Sequence, residues 1–515
     1  MKTFFRTFFA FFVILSFTVL AADEIASIRE SAEQGNPEAQ YKLGLSYETG
    51  KGIEKNEKEA FNWYTKAAEQ NDLDAQYKLG QFYAKGTGVS RNNKKAVEWY
   101  RKAAEGGIVE AQIDLGICYE TGTGTGKDIP EAIKWYRMAA DLKNVKALYK
   151  LGYCYESYRE VQSDDKAAIW YRRAAERGSA EAQYKIGLFY ETGKGVEKSV
   201  TDAVHWYAKA AVQGVLDAQA KLGRYYEKGE GGVPKNMATA VQWYTRAAEQ
   251  GYGDARFLFE LGGYYEEGKG VKKSMKEALK WYRKAAVQDG QYAGKAQYAL
   301  GRCYEAGKGV IKDLPEAVNW YRKAAEQRNP DAQYRLAICY KNGNGVEKDM
   351  AEAVKWYEEA ANQGIIDAQY RLAVCYETGD GIQKNMTEAA RWYEKAANQG
   401  IVDAQYRLAV CYENGSGVPK NMTAAVHWFQ KAADQGNSNA MIRLGAYYEH
   451  SLDGDQNTNA NLEKLLTALM WYGKAAKQND SNAKRKVTEI SNRIEKIRKE
   501  IERQRVKNGE FPLKE

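Results

Sequence analysis

Bulky apolar and aromatic residues along the chain fall into two alternating patterns. The first reads Ala-Gln-Tyr-x-Leu-Gly-x-x-Tyr, as in Ala39, Gln40, Tyr41, Leu43, Gly44 and Tyr47. Its large positions recur at the spacing of a helix that buries one stripe. The second is a Trp-Tyr pair followed by Lys-Ala-Ala or a close variant. Between them stands a glycine turn, such as Gly50, Gly52 and Ile53 or Gly193, Gly195 and Val196. Glycine there suits the left-handed conformation that follows a helix end. The pattern predicts two helices joined by a short turn.

That unit recurs along the chain. All twelve tryptophans occupy it: Trp63, Trp99, Trp135, Trp170, Trp206, Trp243, Trp281, Trp320, Trp356, Trp392, Trp428 and Trp471. Each is followed by Tyr, except that Phe429 follows Trp428, and the intervals run from 35 to 43 residues. Seven positions before each Trp, where the second helix should begin, stand Asn56, Asn92, Asp128, Ser163, Ser199, Asn236, Ser274, Asp313, Asp349, Asn385 and Asn421; only Lys464 departs. These are strong N-cap residues, whose side chains accept from free backbone N–H groups. The small residue after Leu (Gly44, Gly116, Ala337, Ala373) lets the two helices approach closely. A hairpin of this size cannot bury its apolar face alone, but stacked neighbours can, so the chain reads as a repeat array. The Trp-Tyr stripe is then a packing spine, each large side chain contributing roughly 1.5–3 kcal/mol.

Irregular units carry further expectations. Tyr155 to Ser163 lacks the glycine turn. The interval of 38 residues before Trp281 is expected to come from two extra residues in a first helix, around Phe257 to Glu260. The interval of 39 before Trp320 is expected to be a longer loop, Asp289 to Gly294. The last unit carries an Asn- and Asp-rich insertion, Ser451 to Asn461. Asp23 to Gln34 resembles a second helix without its Trp. Val487, Ile490, Ile494, Ile497 and Ile501 make a narrow apolar seam on a charged C-terminal helix, read as a cap or, alternatively, a short coiled-coil contact.

The combined motif resembles the Sel1-like repeat, a relative of the tetratricopeptide repeat. The resemblance covers Asn36 to Asp480. It implies an all-α fold, a right-handed α-solenoid superhelix of about twelve helix-turn-helix repeats. The expected organisation is a signal peptide over 1–21, an N-terminal capping helix over 22–35, repeats over 36–480, a C-terminal capping helix over 481–506 and a tail over 507–515.

The signal peptide rests on Lys2 and Arg6, the apolar stretch Thr7 to Leu20, and small residues at Ala21 and Ala22. That stretch is shorter than the roughly 20 residues that span a bilayer, so no membrane span is expected in the mature chain. Export to a periplasm or outside the cell follows. The lumen of the endoplasmic reticulum is the alternative, with sequons at Asn385, Asn414, Asn421 and Asn479. A net charge of +8, interleaved as Lys and Glu along the chain, reads as solvated helix faces and not as a nucleic-acid stripe.

The six cysteines are Cys118, Cys154, Cys303, Cys339, Cys375 and Cys411. All fall on one motif position, where other units have Ser46, Phe82, Phe189, Tyr225, Tyr264 and Tyr447. A site shared with Phe and Tyr is a packing site, so free buried thiols and no disulfides are expected. Some cysteine-rich bacterial relatives carry two cysteines per repeat and have been linked to penicillin binding. That resemblance implies a β-lactamase-like alternative, but the second cysteine is missing here.

Little else suggests chemistry. His205 and His427 each precede a repeat Trp, and His450 stands apart. Thr121 to Lys127 mimics a phosphate loop but reads as a repeat turn with two extra residues. Ser163 to Lys166 matches Ser-x-x-Lys, with Ser163 on an N-cap position. No catalytic residue, metal or cofactor is expected. By resemblance, the first helix lines the concave face and would present Tyr41, Tyr77, Tyr149, Tyr184, Tyr298, Tyr334, Tyr370 and Tyr406. It would also present Glu48, Glu120, Glu156, Glu191, Glu227, Glu305, Glu377 and Glu413. Tyrosine is favoured in binding hot spots, and an acidic ladder would select basic partners. One or more proteins or peptides are the expected partners.

Overall fold

The computed structural model describes residues 24–452 and 459–507. The expected signal peptide, residues 453–458 of the insertion and residues 508–515 of the tail lie outside the described residues. The chain divides into two compact units, residues 1–252 and 253–515. Among the described residues every regular element is a helix. In the first unit these are α1 (residues 24–33), α2 (Pro37–Thr49), α3 (Glu57–Glu69), α4 (Leu73–Lys85), α5 (Asn93–Glu105), α6 (Val109–Thr121), α7 (Ile129–Asp141), α8 (Val145–Ser157), α9 (Asp164–Glu176), α10 (Ala180–Thr192), α11 (Val200–Val212), α12 (Leu216–Lys228) and α13 (Met237–Glu249). In the second they are α14 (Ala255–Glu267), α15 (Met275–Ala286), α16 (Gln291–Ala306), α17 (Leu314–Glu326), α18 (Pro330–Asn342), α19 (Met350–Asn362), α20 (Ile366–Thr378), α21 (Met386–Asn398), α22 (Val402–Asn414), α23 (Met422–Asp434), α24 (Ser438–His450), α25 (Asn459–Lys477) and α26 (Ser481–Lys507). Even-numbered helices from α2 to α24 are the first helices of the repeats, and each packs on the helix that follows it. This is an α-solenoid of twelve helix pairs.

Capping fixes the phase of each pair. All eleven predicted caps of the second helices accept hydrogen bonds from their own first turn; Asn56 Oδ1, for example, takes the N–H groups of Lys58 and Glu59. Lys464, the exception, lies inside α25, which starts further upstream. The glycine turns adopt the expected left-handed backbone, with φ of 74° at Gly50 and 73° at Gly52. The second glycine also faces the preceding repeat. A Cβ on Gly88 would lie 2.2 Å from the Glu57 carbonyl oxygen, at the start of α3. A side chain there would push neighbouring repeats apart.

The core spine is made by the tyrosine of the Trp-Tyr pair, more than by the tryptophan. Tyr64, Tyr136, Tyr171, Tyr207, Tyr321 and Tyr393 are fully buried, ringed by the alanines of both helices. Trp63, Trp99, Trp170, Trp206, Trp243, Trp320 and Trp356 are only half-buried; the first six carry a cation from three residues on over the ring, such as Lys66 at 3.9 Å from Trp63, and Trp356 carries Lys355 at 5.6 Å. The small residue after Leu makes room for the tyrosine. A Cβ on Gly80 would come within 2.5 Å of the Tyr100 ring.

Three expectations about irregular units change. Helix α14 has the usual 13 residues; the two extra ones lie before it, in the loop 250–254. The surplus before Trp320 lengthens α16 to 16 residues, because the chain there can continue the helix upstream. The turn after Thr121 has the ordinary seven residues, 122–128, with left-handed Gly122 and Gly124. At the glycine-free turn, Tyr158 takes the helix-end position in extended conformation and packs edge-on against Tyr153. The C-terminal seam is occupied: Ile490, Ile494 and Ile497 of α26 are buried with Leu465, Ala468 and Tyr472 of α25.

Candidate functional site

The predicted first-helix tyrosines all occupy equivalent half-buried positions: Tyr41, Tyr77, Tyr149 and Tyr184 in the first unit, Tyr298, Tyr334, Tyr370 and Tyr406 in the second. Each leans on the second-helix ring of its own repeat. Tyr41 and Tyr64 have ring centres 5.7 Å apart, Tyr184 and Tyr207 5.8 Å, and Tyr406 and Phe429 5.8 Å, all tilted. A ring buttressed in this way loses little freedom on binding. Beside Tyr77, Asp114 accepts a 3.0 Å hydrogen bond from the phenol.

The predicted glutamates are equally regular but are not a free acidic ladder. Glu48 accepts a hydrogen bond from Tyr64 Oη at 2.5 Å and an ion pair from Lys78 Nζ, one repeat on, at 2.9 Å. The same three-part brace joins Glu120 with Tyr136 and Lys150, Glu156 with Tyr171 and Lys185, and Glu191 with Tyr207 and Lys221. Tyr225 adds a further donor to Glu191 at 2.7 Å. In the second unit Arg407 pairs with Glu377, whose other donor is Tyr393, and Arg443 pairs with Glu413. Glu305 accepts from Tyr321 at 2.7 Å, and Glu227 accepts from Tyr244 at 2.8 Å. Periodicity revealed the glutamates. It did not reveal their partners, because those cations sit one repeat away.

Electrostatics follow the burial. Burial is the main cause that pushes Tyr207 above the ordinary phenol range, aided by its bond to Glu191. For Glu191 burial raises the carboxyl, but donation from Lys221, Tyr207 and Tyr225 outweighs it and holds the group below its usual value. The six thiols are free and buried. Desolvation pushes Cys118, Cys303, Cys339, Cys375 and Cys411 up to about 11 and Cys154 to about 12, far from the thiolate that a nucleophile requires.

Some participants were missed. Glu266 and Glu449 share the position of the named glutamates: Tyr282 donates to the first at 2.5 Å, Tyr472 and Lys486 to the second at 2.9 and 3.0 Å. The motif glutamine is a buried brace as well. Gln40 Nε2 donates to the Ala32 carbonyl at 3.0 Å while its Oε1 accepts from Gln70 at 2.7 Å. Eight other buried glutamines donate likewise to an alanine carbonyl. Such a residue reads from sequence as a surface amide; only stacking buries it.

The residues singled out for chemistry stay apart. His205 and His427 are exposed, each edge-on to the tryptophan that follows it, and His450 bonds the Ala446 carbonyl at 2.6 Å. Ser163 caps α9 through the Lys166 N–H. Among the described residues no helix is long and apolar enough to cross a membrane.

The Sel1 repeat profile matches twelve segments, 37–72, 73–108, 109–144, 145–179, 180–215, 216–252, 255–289, 294–329, 330–365, 366–401, 402–437 and 438–480. A solved protective antigen of uropathogenic Escherichia coli strains, c5321, is similar at 30% identity over 95% of this chain and 98% of its own, with a TM-score of 0.59. A Sel1 repeat protein from Oxalobacter formigenes shares 31% identity over 69% of this chain and 92% of its own, TM-score 0.39. Helicobacter pylori cysteine rich protein B shares 28% over 26% of this chain and 96% of its own, TM-score 0.21. No curated protein matches.

Proposed function

Since the chain belongs to the Sel1 repeat family, we propose that it is an exported, non-enzymatic scaffold that holds protein or peptide partners along its first-helix tyrosines. The observation that carries this reading is the set of half-buried tyrosines, each fixed against a buried ring of its own repeat. Rigid amphipathic rings make contact area with little ordering entropy. The braces below them make the scaffold stiff without spending the tyrosines' exposed edges. Export is inferred from Lys2, Arg6 and the apolar run up to Leu20. It is consistent with the similarity to a protein described as a protective antigen. We take a periplasmic or secreted location as the working assignment.

Site-specific crosslinking tests the reading. A photoreactive residue at Tyr370 or Tyr406 should capture a discrete partner in the native envelope or secreted fraction, and the same residue at Lys355 or Arg391, on the second helices, should not. Equal capture at both sets, or none at either, would reject the tyrosine face. The export assignment predicts a mature N-terminus just after Ala21 or Ala22, readable by mass. The rival β-lactamase-like reading predicts nitrocefin turnover that a single substitution abolishes.

A further inference from the structure

In the second unit the brace between repeats is broken at Glu266, and this break leaves a cavity. Seven glutamates of the ladder hold a Lys or Arg from the next helix pair or the cap at 2.7–3.2 Å. At Glu266 the residue that would supply this cation is Ala299, two positions before Gly301, as Lys78 is two before Gly80. Among the described residues no cation lies within ion-pair distance of Glu266, and its bonded oxygen, Oε2, accepts from Tyr282. In place of the missing side chain is a cavity of about 200 Å³ lined by Glu266, Ala299, Arg302, Cys303, Glu305, Ala306, Lys308 and Arg335.

We propose that this notch is a binding site for a primary ammonium on an alkyl chain, which supplies from outside the cation that neighbouring repeats carry within the chain. The charges around the notch decide the sign of the ligand. Glu305 is already engaged by the Tyr321 hydroxyl, and Arg335 is near enough to interact with it. Arg302 lies over the Tyr298 ring at 6.0 Å, and Lys308 is exposed in the turn. Glu266 is the carboxylate left half-buried without a counter-charge. Burial strengthens the attraction that an arriving cation would feel, relative to a free surface carboxylate. The shape favours a slim alkylammonium, because the space is that of a deleted lysine side chain. The proposal deepens the scaffold reading, and only its partner-borne source, a lysine on a docked chain, rests on that reading.

The test uses the mature chain with methyl-labelled alanine and follows the Ala299 and Ala306 resonances. Acetyl-Gly-Lys-Gly-amide and butylammonium chloride are the probes, and acetyl-Gly-Glu-Gly-amide is the anionic control. A saturable shift with the lysine peptide assigns the notch to a chain-borne lysine. A shift with butylammonium alone assigns it to a free amine, and both outcomes uphold an alkylammonium site. A299K, which restores the internal cation, should abolish the Ala306 shift, and E266Q should abolish it while leaving the helical fold unchanged by circular dichroism. No saturable shift with either cation, an equal shift with the glutamate peptide, or full retention in E266Q would overturn the proposal. Because these probes need no partner protein, failure here is distinct from failure of the crosslinking test.

Discussion

The stretch from Glu156 to Lys221 and the stretch from Glu266 to Arg371 share one backbone plan and differ in how their polar groups are satisfied. In the first, each buried tyrosine hydroxyl meets a glutamate, and each glutamate meets a lysine one repeat on. In the second, Ala299 removes a cation, Lys341 stands where a glutamate is expected, and the Tyr357 hydroxyl is buried without a hydrogen-bond partner. Both still bury the same ring against the same alanines: Tyr207 is 0% exposed and Tyr357 1%. The apolar spine therefore sets the fold, and the brace is an adjustable addition. A stacked array tolerates such local change because each repeat leans only on its neighbours.

The sharpest way to break this comparison is to delete the rings. Y207A and Y357A should each destabilise their repeats by about 3–5 kcal/mol, read as accelerated hydrogen exchange in α11 and α19. Local exchange is the proper measure, because a long array need not unfold in one step. A large difference between the two would mean that the brace, and not the ring, dominates. Removing only the hydroxyls should separate the stretches. Y207F removes one of the three donors to Glu191 and should cost about 1.5–3 kcal/mol, a hydrogen bond to a charged group, whereas Y357F removes an unsatisfied buried hydroxyl and should be neutral or stabilising.

Repairing the defect should make the stretches alike. K341E gives Tyr357 an acceptor and Arg371 a counter-charge, and should slow exchange in α18 and α19 by an amount worth about 1 kcal/mol. The smallest effect concerns acid. The Glu191 carboxyl is held below its unfolded value, so its contribution is present above that value and is lost as pH falls through the folded one. Exchange in α10 to α12 should accelerate over that acidic window, and E191Q should remove the local pH dependence. Position 341 carries a lysine and has no carboxylate to titrate there. An unchanged pH profile in E191Q would show that other carboxylates govern the acid limit.

The repeat length, the helix starts, the glycine turns and the small residue beneath the tyrosine were all legible in the sequence. Each is decided by contacts within about one turn of helix or by one hairpin, so its signature repeats with the chain. Asn56 must cap α3 wherever that helix lies, and Gly50 must be left-handed because the helix ends there. The Trp-Tyr pair announced a buried stripe, but not that tyrosine would take its centre and tryptophan its margin. Which of two adjacent bulky side chains faces inward depends on where the first helix lies against the second.

Stacking decided the rest. Gln40 is a buried brace because Ala32 and Gln70 surround it, and Glu48 is neutralised because Lys78 reaches across from the next pair. Ala32 lies eight residues before Gln40, on another helix, and Gln70 and Lys78 lie 30 residues from Gln40 and Glu48, so no pattern within one helix links them. The extra residues before Trp281 and Trp320 could be counted in the sequence, but loop or helix was settled only by what the neighbouring helices left room for. Sequence determined this protein as a series of hairpins; tertiary structure determined which of their charges cancel, and left Glu266 as one that does not.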